Sequence, residues 1–221
     1  IEQIENYTLN KIERTKDELG NLLNGLDGAY VPAGGSGAPT RGRLDILPTG
    51  KNFYSVDVRT IPSQSAYELG TKSANNIIDR YLQDNGEYPT SIGVSVWGTS
   101  TMRTGGDDIA QALALIGVRP VWSGMNRRVK DFEVISLLEL RRPRIDVLLR
   151  ISGFFRDAFP DVISLFNAAI EKVALLDEEE DKNPIKARFN SEQKEWIEKG
   201  LTAQQAQERS LYRVFGSKPG A

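Results

Sequence analysis

The sequence predicts an α/β protein, a mostly parallel sheet with flanking helices in Rossmann-like layers and extra helices at both ends. Two observations carry this. Between residues 91 and 176, short β-branched runs alternate with amphipathic helical patterns, the order that builds parallel sheets. The run Ser91–Gly117, SIGVSVWGTSTMRTGGDDIAQALALIG, passes from a buried strand through a polar loop into a helix. Open α/β sheets place their ligands at such loops, beyond the carboxyl ends of the strands.

Taken in order, residues 1 to about 26 hold apolar Ile4, Ile12, Leu19, Leu22, Leu23 and Leu26 among charges, an imperfect helical period that predicts one or two helices. Ala33–Gly42 (AGGSGAPTRG) has the composition of a linker. A helix is expected over Ser63–Leu82, opened by a Ser65/Glu68 capping box, faced by Ala66, Ala74, Ile77 and Tyr81, and stopped at Asn85-Gly86. Then come strand 91–97, helix 107–116, strands 118–123, 132–136 and 145–151, and helix 160–176 with Pro160 at its start. The acidic run Asp177–Asp181 is expected in solvent. Asn190/Gln193 and Thr202/Gln205 look like two further helix starts, with stops near Gly200 and Gly216. The implied organisation is an N-terminal helical segment and Gly/Pro-rich loop over 1–62, an α/β domain over 63–182, and a truncated C-terminal helical segment over 183–221.

Composition removes several chemistries. With 28 basic and 30 acidic residues, the charges nearly balance and nothing invites a nucleic acid partner. No apolar run reaches membrane-spanning length and no signal peptide is visible, so a cytoplasmic protein without a membrane span is expected. The chain has no Cys and no His. Thiolate nucleophiles, complete Ser-His-Asp sites and imidazole ligation are therefore excluded within it, and a metal would need oxygen ligands.

Three segments are candidate sites. In the Arg103–Asp108 loop, Arg103 offers a guanidinium fork for a carboxylate, while Asp107 and Asp108 either cap the following helix or hold a cation. At Arg150-Ile-Ser-Gly-Phe-Phe-Arg156-Asp157, Ser152 and Gly153 could present donors and Phe154 and Phe155 a flat apolar surface; one phenylalanine entering the core is the favoured alternative. Leu26–Lys51 carries Asp27, Tyr30, Arg41, Arg43, Thr49 and Lys51 among glycines that permit close backbone approach. It is no phosphate loop, because Asn52 follows Lys51. Trp97 and Trp122 are expected at the sheet's upper edge or in the core.

The segments WGTSTMRTGGDDIAQALALIGVRPVW, LRRPRIDVLLRISGFFRDAFP, RVFGSKPGA and GLDGAYVPAGGSGAPTRGRLDILPTGKNFYSVDVRTIP resemble the large subunit of cobaltochelatase, in the cobaltochelatase/magnesium chelatase large-subunit family. The similarity runs collinearly from about Asp17 to Ala221. It implies a fragment of a longer subunit, since Ile1 is no natural start and Ala221 stops inside a family motif. It also implies binding of a tetrapyrrole, a corrin precursor of the hydrogenobyrinic acid a,c-diamide type, and insertion of Co²⁺ as substrate metal. ATP and Mg²⁺ enter only through partner subunits, an AAA+ ATPase and a co-chelatase. The rest of the parent subunit is a further partner, and the isolated fragment is expected to be inactive. On this reading Asp107, Asp108 and Asp157 are catalytic candidates, Asp107 and Asp108 metal-ligand candidates, and Arg103, Arg150, Arg156, Ser152 and Lys51 substrate-binding candidates. Asn183-Pro-Ile-Lys-Ala-Arg-Phe189 departs from the family's Asn-x-x-Arg-Lys-His pattern. The alternatives are a magnesium chelatase large subunit acting on protoporphyrin, and a non-catalytic scaffold that docks other domains or motor subunits.

Overall fold

The computed structural model describes residues 8–41, 44–54, 56–124 and 127–218. Ile4, Arg43 and the closing Pro219–Ala221 of the readings above lie outside them, as does the side chain of Arg41. The order of elements is α1 (Asn10–Glu13), α2 (Asp17–Leu26), β1 (Ala33–Gly35), β2 (Asn52–Tyr54), α3 (Gln64–Asn85), β3 (Ser91–Val96), α4 (Gly98–Thr104), α5 (Asp107–Ile116), β4 (Val118–Trp122) and β5 (Val129–Val134). It continues with α6 (Leu137–Leu140), β6 (Asp146–Ile151), α7 (Gly153–Ala158), α8 (Pro160–Ala174), α9 (Pro184–Glu198), α10 (Ala203–Ser210) and β7 (Val214–Gly216).

The α/β class stands. A three-stranded parallel sheet, order β3-β6-β7, is flanked by helices, and β1 and β2 form a second parallel pair. Strands β4 and β5 do not join either sheet; they form an antiparallel hairpin with a register shift at Val121/Trp122. Their alternating apolar pattern suits a ribbon with one wet side, whereas four of the six residues of β6 are buried. Strand β1 lies within the stretch whose composition reads as linker.

The core forms around α5, in which Ile109, Ala110 and every residue from Ala112 to Ile116 are buried. Helix α3 crosses it on the stripe Ala66, Gly70, Ala74, Ile78, four residues apart each time. The expected Ile77 and Tyr81 instead lie off this stripe and are 39% exposed. A Cβ at Gly70 would stand 2.5 Å from the Gln111 nitrogen, so glycine sets how closely the two helices approach. The cap of α3 is Ser63 rather than Ser65: its Oγ accepts from the Ala66 N–H at 3.2 Å. Similarly α9 begins at Asn183, whose side chain accepts from the Lys186 N–H, with Pro184 at the first helical position, so Asn190 sits inside a helix and not at its start. The Thr202/Gln205 capping box is present as expected.

Two buried guanidinium sites hold β6 in place. Arg144 is fully buried and forks onto Glu178 with two 2.7 Å bonds, while also donating to the carbonyls of Ile116, Gly117 and Ile135. Glu178 is therefore not in solvent with the rest of its acidic run. Arg142 donates to Ala114 and Leu115, so two cations meet the negative end of α5. Burial first, then the charge of Arg144, brings the Arg142 pKa down to about 10. On the other side, Arg213 is buried against Asp146, its Nε donating to both carboxylate oxygens at 2.7 and 3.0 Å.

Candidate functional site

The strand ends bring two of the candidate segments together. Val96 is in register with Ile151, and Ile151 with Gly216, so β3, β6 and β7 finish side by side. The first two then turn directly into short helices, α4 and α7, which touch. The segment read as a polar loop after β3 is thus mostly helix. Ser152 joins the two turns: its Oγ accepts from the Phe155 N–H and from the Gly98 N–H, each at 3.2 Å. One hydroxyl so caps α7 and reaches the first residue of α4. A Cβ at Gly98 would lie 2.5 Å from Phe154 Cδ1 and 2.9 Å from the Phe155 nitrogen, so the helices close up only over glycine.

Helix α4 ends at Gly105 and Gly106, which take φ of 77° and 92°, a region that side chains rarely adopt. The buried Thr104 hydroxyl accepts from the N–H groups of Gly106 and Asp107, at 3.2 and 3.3 Å. Asp107 Oδ1 in turn accepts from the Asp108 N–H at 3.0 Å. Asp107 and Asp108 thereby occupy the first turn of α5, where the helix dipole favours negative charge, and both are half-buried. Among the described residues no group of three or more acidic side chains is placed to hold a metal ion.

Arg103 is exposed on the last turn of α4, and its carbonyl accepts from the Ala38 N–H, tying the Gly-rich segment to the edge. Arg156 forks onto Asp157 at 2.7 and 2.9 Å and donates a third bond to the Ser217 carbonyl, which fastens the end of β7 to α7. The Arg156 hydrogen bonds hold the Asp157 carboxyl below its ordinary pKa. Phe155 is the phenylalanine that enters the core; it is fully buried and stacks on Phe159 at 5.1 Å, while Phe154 is exposed.

Two candidates stand elsewhere. Arg150 points from the exposed face of β6, in register with Ser95 and Phe215. Lys51 follows Gly50, whose carbonyl accepts from Asn21 Nδ2 at 2.7 Å; its aliphatic stem lies over Gly34 in a cleft of about 550 Å³ beside α2. Trp122 is half-buried, bonded through Nε1 to the Pro62 carbonyl. Trp97 is 62% exposed at the end of β3, at the sheet edge that was one of the two positions expected for it.

A family model described as CobN/Magnesium Chelatase matches residues 1–221. The chain belongs to this family. It is 58% identical over 204 residues to the aerobic cobaltochelatase subunit CobN of a Sinorhizobium species, covering 92% of this chain and 16% of that relative. Against the chloroplastic magnesium-chelatase subunit ChlH of Oryza sativa subsp. japonica it is 40% identical over 206 residues, 91% of this chain and 14% of that one. The structure of the catalytic subunit of cobaltochelatase from Mycobacterium tuberculosis superposes with a TM-score of 0.81 at 46% identity, covering 99% of this chain and 18% of that subunit. The chain thus spans about a sixth of the length of these relatives.

Proposed function

We propose that the chain works as one domain of the large, tetrapyrrole-binding subunit of an ATP-dependent cobaltochelatase, inserting Co²⁺ into a corrin precursor in the cytoplasm. The observation that carries the cobalt reading is the higher identity to the cobaltochelatase subunit, 58% against 40% for the magnesium-chelatase subunit. Magnesium insertion into a porphyrin is the second reading, favoured by that same 40% relative and by the chain's oxygen-only donor set.

Insertion requires that two ring nitrogens lose protons and that the metal shed water. A carboxylate beside the ring accepts a proton, and one or two can pass on the metal. Asp107 and Asp108 suit this role, with Arg103 on the preceding helix gripping a peripheral carboxylate. Asp157 suits it less. Its fork with Arg156 makes it a weaker base, and the pair's work is to hold α7 and β7 together. Ser152 positions α4 and α7 rather than binding substrate, and Lys51 lies with the α2 cleft. ATP hydrolysis and Mg²⁺ belong to AAA+ and co-chelatase partners of the assembled enzyme.

The test compares Co²⁺ and Mg²⁺ insertion into a metal-free corrin and a porphyrin by the full-length subunit with its partners. Cobalt insertion into the corrin that falls at least about tenfold in an Asp107→Ala/Asp108→Ala variant supports the assignment. Unchanged rates and metal affinity in that variant remove both aspartates from the mechanism.

A further inference from the structure

Among the described residues, the three-stranded sheet leaves part of one face bare. In-register residues of parallel strands share a face, so Gly93 and Ser95 of β3, Arg150 of β6 and Phe215 of β7 lie together, opposite the face that Val96, Leu149 and Ile151 turn into the core. At the amino-terminal end the β6 side of this face is covered: Asp146 is buried beneath Arg213, with Arg188 of α9 3.6 Å away, while Ser91 of β3 beside it is exposed. The carboxyl half is not. Gly93, Ser95 and Arg150 are exposed, Phe215 is 49% exposed, and a Cβ at Gly93 would meet nothing within 4 Å. Trp97 continues β3 in extended conformation and falls on the same side. Parallel sheets occur almost only with both faces covered. Here a glycine–serine strip on β3 runs up to Trp97, Arg150 lies between Ser95 and Phe215, and the half-buried Leu148 lies beside Gly93.

We propose that this half-face seats a protein segment from the rest of the subunit, which lies over Gly93 and Ser95, packs apolar side chains on Trp97 and Phe215, and sets a carboxylate against Arg150. This rests on the reading that the chain acts inside a subunit of its relatives' length, of which 16–18% is represented by a chain this size. A second copy suits the face poorly. A two-fold contact centred on it would bring Arg150 against its own copy, like charge on like.

The test is thiol accessibility at Ser95→Cys, a near-isosteric change in a chain that has no cysteine of its own. Maleimide labelling of the peptide containing residue 95 is followed by mass spectrometry, in the 221-residue chain and in the full-length subunit, against the rate in urea. The expected result is labelling near the urea rate in the short chain and protection of about 100-fold or more in the full-length subunit without substrate or partners. Adding Arg150→Glu should relieve most of that protection. Equal rates in the two proteins overturn the proposal. So does protection of the short chain that grows with its concentration, which assigns the face to a second copy. Protection that arises only on adding the metal-free corrin overturns it too, and makes the face a ligand wall. Chelation is assayed separately, on the unlabelled full-length subunit supplied with its ATPase and co-chelatase partners and the metal-free corrin: protection at residue 95 without cobalt insertion in that assay leaves the docking face standing and removes the functional reading.

Discussion

Removing the Arg144 guanidinium should be the most damaging single change in the α/β core. It donates five hydrogen bonds: two to the Glu178 carboxylate and three to the carbonyls that close α5 and follow β5. The Glu178 side chain is only 14% exposed, so an Arg144→Met variant leaves a largely desolvated carboxylate with its Asn183 bond but no counter-ion, and takes a donor from the Ile116, Gly117 and Ile135 carbonyls, of which Gly117 keeps the Ile135 N–H. Breaking a buried pair from one side costs about 3–5 kcal/mol, a large part of the roughly 5–15 kcal/mol that holds a domain folded. With a urea m-value of about 2–3 kcal/mol/M, the unfolding midpoint should drop by about 1–2.5 M. The double variant Arg144→Met/Glu178→Met should recover part of the loss, since it removes the stranded charge but not the unpaired carbonyls. Circular dichroism in a urea series measures all three proteins. A single variant within about 1 kcal/mol of the parent, or a double variant no better than the single, refutes the view that the fork neutralises a desolvated charge.

Other outcomes follow from the same structure. Ser152→Ala should cost about 1–2 kcal/mol, more than one ordinary cap, because two N–H groups lose their acceptor; a smaller loss in thermal melts would mean that water replaces the hydroxyl. Asp57 accepts from Arg59, which is the larger effect, and from Arg128, and these bonds outweigh desolvation to hold its pKa at about 2. Its folded pKa is depressed, so the stabilisation is present above about pH 4 and is lost as pH falls towards 2. The shift would amount to about 2.4 kcal/mol unscreened; because the side chain is 36% exposed, about 1 kcal/mol is the expected cost of Asp57→Asn at neutral pH, disappearing near pH 2. A pH-independent cost would show that the carboxylate charge is not what matters. Gly117→Ala should destabilise by about 2 kcal/mol or more, as its φ is 80° and a Cβ would press on the Arg144 guanidinium.

The periodic parts of the fold were legible in the sequence. Strand β3, helix α5, strand β6 and helix α8 follow directly from apolar spacing, and the Thr202/Gln205 box marks α10. Short elements were not. Helix α4 carries too few turns to show a period, and its Thr-rich composition reads as loop. The buried ion pairs were invisible for a different reason. Arg144 and Glu178, like Asp146 and Arg213, are far apart in sequence, and a charged residue reads as surface until its partner is known. At the site, the strand-end position of Trp97, Arg103 and Ser152 could be read from the pattern. That Ser152 and Arg156 are engaged in holding α4, α7 and β7 together could not, because their partners lie on other segments.

The Asp146–Arg213 pair also gives the chain a timetable. Its two members are separated by 67 residues, and β7, which completes the parallel sheet, follows immediately after Arg213. At about 5–20 residues per second, synthesis leaves roughly 3–13 s between them. Throughout that interval the nascent β6 has neither its neighbour on one edge nor the buried guanidinium that covers its carboxylate; Arg188 of α9, 3.6 Å from Asp146 in the finished fold, comes sooner. A polypeptide interrupted after α9 would keep Arg188 and never gain Arg213 or β7.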